Sequence, residues 1–169
     1  MEFETLYQEL EYGLTIIPTL VHGVTQVEAK VRPTPDSWSI LEVICHLYDE
    51  EREDFREHLD QVLNRPGEKW SSIDPQGWVT SRNYNERNLA EMVDKFRGER
   101  RKSLNWLRGL SSPKWDANYM MPVGPLKAGD IFASWVAHDN LHVRQLVELR
   151  RARIVTITQP YDLRYAGEW

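Results

Sequence analysis

Cysteine is almost absent from this chain of 169 residues. Cys45 stands alone, so no intrachain disulfide can form, and a reducing, cytoplasmic setting is the expectation. Long apolar runs are absent too, and nothing approaches the roughly 18 residues that a membrane span requires. There is no excess of basic residues. The formal charge is -5, which argues against the basic face of a nucleic-acid-binding protein. The start, Met1-Glu2-Phe3-Glu4, has neither the basic residues nor the apolar stretch of a signal peptide. Internal repeats and low-complexity segments are also missing. What remains is the profile of a single domain large enough to bury a core. It is rich in tryptophan, with seven, and Trp70, Trp78, Trp115 and Trp169 lie outside the periodic segments. Aromatic rings in connections need a surface to pack against: a pocket wall, the end of a bundle or a partner subunit.

Glycine and proline divide the chain into four blocks of helical period. The first, about 3–31, carries Phe3, Leu6, Leu10, Leu14, Ile17 and Val21, with a kink or short break expected at Pro18. The second opens on Ser39-Ile40-Leu41-Glu42, a capping box, and should run to about Leu63. Residues 64–84 read as a long structureless loop of the kind that serves as a lid or binding wall. The third helix spans about 86–110, with an outer face rich in arginine and lysine. An irregular connection, 111–129, leads to a fourth helix from about 128–130 to Arg151. These helices bury their stripes most simply as an all-α four-helix bundle over residues 1–153. Residues 154–169, with three aromatics, form an extension expected to dock on the bundle or on a partner subunit.

The fourth helix contains His138-Asp139-Asn140-Leu141-His142. Histidines four apart on a helix lie on one face, where they can share a metal ion. Both fall in or beside the apolar arc, as does Gln145, and Asp139 points inward as well. Such polar groups on a packing face cost desolvation unless they satisfy one another, and two separately hydrogen-bonded core histidines are the competing interpretation. A zinc-protease helix is disfavoured, because that motif needs a glutamate where Asp139 stands. For a third ligand, His58 sits in a charged run and reads as a solvated surface residue. His22 lacks polar neighbours. His46 has Asp49 nearby but lies off the centre of its helix's apolar arc, so spacing alone leaves the third ligand open.

The run Trp38-Ser39-Ile40-Leu41-Glu42-Val43-Ile44-Cys45-His46-Leu47-Tyr48-Asp49, followed by His138-Asp139-Asn140-Leu141-His142-Val143-Arg144-Gln145, resembles the DinB-like four-helix-bundle superfamily over nearly the whole chain. The resemblance implies a bundle with a long crossover, a divalent metal (zinc or nickel) held by His46, His138 and His142, and a homodimer. It also implies kinship with bacillithiol transferases and mycothiol-dependent maleylpyruvate isomerase, and hence thiolate activation for attack on a small electrophile. Asp139 and Gln145 would then orient ligands or substrate. Trp78, Arg82 and Tyr84 would line the pocket, with Arg82 pairing with a carboxylate of the thiol or substrate. Two other functions stay open: metal-dependent hydrolysis, with Asp49 or Asp139 as base, and a non-enzymatic stress-response or interaction protein whose metal only staples helices.

Overall fold

The computed structural model describes residues 2–169. Its helices are α1 (Phe3–Val21), α2 (Gln26–Ala29), α3 (Ile40–Glu50), α4 (Arg56–Asn64), α5 (Pro75–Ser81), α6 (Leu89–Gly109) and α7 (Ala128–Ile157). A π-helical segment, Glu51–Phe55, joins α3 to α4 without a break, so the long elements are α1, α3–α4, α6 and α7. Together they form the expected four-helix bundle.

Local chemistry sets the helix starts. Ser39 Oγ accepts from the Glu42 N–H at 3.2 Å and the Glu42 carboxylate accepts from the Ser39 N–H at 2.7 Å, the reciprocal box that the sequence predicts. Burying Glu42 there is compensated by Arg32, whose Nε donates to it at 3.0 Å. Asn88 caps α6 through the Glu91 N–H. Pro18 does not break α1. The helix ends at Val21, just before Gly23 takes a positive φ of 76°.

The apolar core is in two parts. One collects Ile17 and Val21 from the end of α1, Ile40 to Leu47 from α3, Leu89 to Phe96 from α6, and Leu146 and Leu149 from the end of α7. The other collects Tyr7 and Leu10 from the start of α1, Leu59 and Val62 from α4, Leu104 and Leu107 from α6, and Ala128 to Val136 from the start of α7. The long helices therefore run up, down, down, up. Since α3–α4 and α6 point the same way, residues 65–88 must travel back along the whole bundle. Each long helix passes from one apolar cluster to the other through a polar stretch or a glycine: Gly13, Asp49 to Glu51, Glu99 to Ser103, and Asp139 to His142. The bundle has a polar layer across its middle.

Both connections expected to be irregular contain regular structure. Asp74 caps α5 through the Gly77 N–H at 3.0 Å, with Pro75 in the first turn, a helix start that the long-loop expectation overlooked. In the second connection β1 (Asn118–Met121) pairs antiparallel with β2 (Gly124–Lys127) around a two-residue turn, with Tyr119 opposite Leu126. This hairpin closes the second apolar cluster. Trp115 stacks on Phe132 at 5.4 Å, and Trp70 packs on Tyr119 at 4.7 Å. The fourth helix runs past Arg151 to Ile157. The helix outruns the expected end at Arg151 because no breaker intervenes before Pro160, and the Thr156 and Thr158 hydroxyls bond back to the Ala152 and Ile154 carbonyls. The aromatic extension folds back on its own helix at one point: Trp169 Nε1 donates to Glu148 at 2.8 Å, and Arg151 lies over the ring. Tyr161 and Tyr165 are exposed. No helix among the described residues is long and apolar enough to cross a membrane.

Candidate metal centre

His46 comes from α3, one turn before the polar layer, and His138 and His142 come from the middle of α7. Their Nε2 atoms converge: His138 Nε2 lies 3.2 Å from that of His46 and 3.0 Å from that of His142. The three ligand atoms lie within 4.8 Å of one another, and no other group of three or more potential ligands among the described residues forms such a cluster. His22 is exposed. His58, expected at the solvated surface, is buried instead: Nδ1 meets Asp54 at 2.7 Å, Nε2 meets the Ser71 carbonyl at 3.0 Å, and its ring stacks on Trp70 at 3.9 Å.

Tautomer and burial suit the cluster to a cation. An amide oxygen only accepts, so the 2.7 Å contact from His142 Nδ1 to Gln145 Oε1 places the proton on Nδ1 and leaves Nε2 bare. Among three neutral rings whose Nε2 atoms face one another, hydrogen bonds cannot satisfy every lone pair, whereas one cation can. Burial, reinforced by the other two rings, pushes His46 down to about 2. Burial and His142 take His138 down to about 3, and burial lowers His142 as well. All three are thus in the neutral, ligating form at pH 7. The donor set fits a divalent metal.

The cluster opens onto a cleft of about 960 Å³ between α3, the start of α5 and the outer half of α7. Trp38, Leu141 and Leu149 give it apolar walls, and Trp38 lies parallel to the His142 ring at 6.4 Å. Glu50 also lines it, one turn beyond His46. Its side chain is buried, Oε1 has no partner among the described residues, and burial together with neighbouring Asp54 and Asp49 pushes its carboxyl up to about 9. Sequence reasoning missed Glu50, although its four-residue offset from His46 puts it on the same helix face.

Of the other residues singled out, Gln145 both lines the cleft and holds His142. Asp139 does not line it: its carboxylate turns to Arg100, with Oδ1 2.8 Å from Nη2. Asp49, Trp78, Arg82 and Tyr84 form a separate group on the flank. Arg82 bonds Asp49 at 2.7 Å and Glu53 at 2.6 Å, Tyr84 donates to Asp49 at 2.6 Å, and the guanidinium lies 4.0 Å over the Trp78 ring. None of these four residues lines the cleft.

Comparison with known proteins bears on the fold and the family. The fold matches a solved structure described as "YfiT from Bacillus subtilis is a probable metal-dependent hydrolase with an unusual four-helix bundle topology", at a TM-score of 0.78 and 15% identity, over 89% of this chain and 86% of that one. No curated protein matches the chain. The model of the DinB superfamily matches residues 9–146, which include all three histidines, and the chain belongs to that superfamily.

Proposed function

We propose that this protein is a divalent-metal-dependent enzyme that hydrolyses a small substrate bound in the cleft. The observation that carries this reading is the convergence of three Nε2 atoms at the floor of an open cleft. Three protein ligands leave coordination positions free, and a divalent ion so held polarises substrate oxygens and lowers the pKa of water towards neutrality. The chain's own groups supply the remainder. Trp38, Leu141 and Leu149 hold the apolar body of the substrate and exclude water. Gln145 keeps the His142 proton on Nδ1. Glu50 is the carboxyl on the cleft wall that gives or takes a proton as bonds to the leaving group change.

Thiol transfer, which the superfamily resemblance implies, is the second reading. The cleft lies near the upper end of the usual range for ligand sites, which leaves room for a thiol beside an electrophile. Arg82 gives this reading no support, because its guanidinium is occupied by Asp49 and Glu53.

Elemental analysis of the purified protein tests the shared premise. One divalent ion per chain is expected, lost on His46→Ala, His138→Ala or His142→Ala, and a wild-type protein that takes up no metal ends both readings. At matched metal load, hydrolysis of ester and amide substrates without thiol is expected, reduced at least about 100-fold in Glu50→Gln. Turnover that requires added thiol would transfer the assignment to the second reading.

A further inference from the structure

Arg100 lies entirely inside the bundle, 1% exposed, in the polar layer beside the histidines. All three of its nitrogens donate, through four hydrogen bonds in all. Nε donates to Glu51 Oε1 at 2.9 Å and Nη2 to Asp139 Oδ1 at 2.8 Å, while Nη2 is also ion-paired with Glu51 Oε2 at 2.9 Å. Nη1 donates to Asp139 Oδ2 and to the Leu10 carbonyl. Glu51 opens the π-helical segment five residues after His46, and Asp139 directly follows His138. One planar fork therefore binds the helix that carries His46 to the helix that carries His138 and His142. Trp135, one turn before His138, adds a second tie by donating Nε1 to Glu51 Oε2 at 3.0 Å. On α1, Gly13 leaves the space: a Cβ there would collide with Arg100 Nη1 and Asp139 Oδ2.

A buried ionic network is a poor device for stability, since well-packed apolar residues of similar volume usually match or exceed it. Its directional bonds do what apolar packing cannot, fixing the register of one helix against another. Two carboxylates around one guanidinium also leave a negative charge beside the three neutral imidazoles, which favours a cation there. We propose that Arg100 is a positioning residue of the metal centre, holding His46 at its distance from His138 and His142 through Glu51 and Asp139, with Gly13 as the notch that admits it.

The inference rests on the metal-centre reading above, and two variants separate the two. Arg100→Lys keeps the charge but loses the fork. Gly13→Ala keeps every charged group, raises helix propensity, and puts a methyl group where the guanidinium and Asp139 meet. Co²⁺ and Zn²⁺ affinity is measured by chelator competition on folded protein, and ring ¹⁵N shifts of the three histidines are recorded without metal. Metal binding about 10- to 100-fold weaker and displaced ring resonances are expected in both variants. If Arg100→Lys does not fold, Gly13→Ala decides alone. Wild-type affinity with unmoved ring resonances, even alongside a lowered Tm, would reduce Arg100 to a structural residue and overturn the inference. A wild-type protein that binds neither ion ends the metal reading instead, and the ring resonances then decide whether Arg100 sets the histidine positions.

Discussion

Arg100 and Arg82 each bridge two carboxylates, and both draw one partner from the stretch around the π-helical segment: Glu51 for Arg100, Glu53 for Arg82. Arg100 faces the interior, its side chain 1% exposed, and its carboxylates have no second cation among the described residues. Arg82 faces the flank, 27% exposed, and both its carboxylates also pair with Arg52. Similar ion-pair chemistry thus acts in two regimes. On the flank, solvent and a spare cation share the charges. In the interior nothing can replace Arg100, so its loss strands two carboxylates where the dielectric is low. Proximity of charges to the histidines does not by itself mark a functional group; what matters is which helices the charges join and whether water can substitute for them.

The largest expected effect breaks the interior tie. Arg100→Ala should cost about 3–5 kcal/mol in urea unfolding of the metal-free protein, and a loss below about 1 kcal/mol would erase the contrast with Arg82. Next comes a replacement that removes the charges together: Arg100→Met with Glu51→Gln and Asp139→Leu, the glutamine still accepting from Trp135. Stability should return to within about 2 kcal/mol of wild type, while Zn²⁺ affinity measured by chelator competition stays at least about 10-fold down. Recovery of both would mean that packing alone places the histidines.

The same contrast explains what the sequence revealed. His138 and His142 were legible because both lie on one regular helix at a spacing with a clear chemical meaning. His46 was legible only through the resemblance and not from spacing, because the wheel of α3 has no outer face to read: residues 39–47 are all buried, closed in by α5, α6 and the loops, so the apolar arc carries little information about which side chains point inward. His58 was misplaced for a related reason. The π-helical segment shifts the register after Glu50, and residues 70–71 cover the face on which His58 then lies. Arg100 was invisible in Arg97-Gly98-Glu99-Arg100-Arg101-Lys102, which reads as part of a solvated basic face. Only the helix facing it shows that one of these cations belongs inside. Four helices, the capping box and the position of the histidine pair follow from local chemistry. The crossover, the polar layer and the separation of Arg100 from Arg82 depend on partners distant in sequence.

Acid and alkali probe the interior from opposite sides. The three imidazoles have folded pKa values below the usual 6.5, His46 at about 2 and His138 at about 3. Below pH 6.5 the unfolded chain takes up protons that the folded, metal-free protein refuses, so stability falls as pH drops from 6.5 towards 3. Glu50 works in the other direction. Its folded pKa of about 9 exceeds the ordinary 4.5, so its contribution is complete below pH 4.5 and is lost as pH rises to about 9. Metal-free protein should therefore be most stable near neutrality, with Tm declining on both sides. Glu50→Gln should flatten the alkaline limb and steepen the acid limb between pH 4.5 and 6.5, where Glu50 opposes the histidines. An alkaline limb unchanged by that variant would mean that Glu50 is solvated and ionised at neutral pH.

The smallest effect is expected from Arg82→Ala, and it tests the flank. Asp49 keeps Arg52 and the Tyr84 hydroxyl, Glu53 keeps Arg52, and the site is partly open to water. The loss should be about 1 kcal/mol or less in urea unfolding, with metal content and turnover at matched metal load unchanged. Arg82 is also the residue that a thiol or substrate carboxylate would engage if the sequence-based pocket were the real one. A variant that keeps its metal and its Tm but loses turnover through a higher KM would therefore extend the substrate site from the cleft onto this flank. Unchanged KM, against impaired metal binding in Arg100→Lys, would instead show that the two arginines differ in what they hold: one sets the geometry of the metal centre, the other anchors α5 to the outside of the bundle.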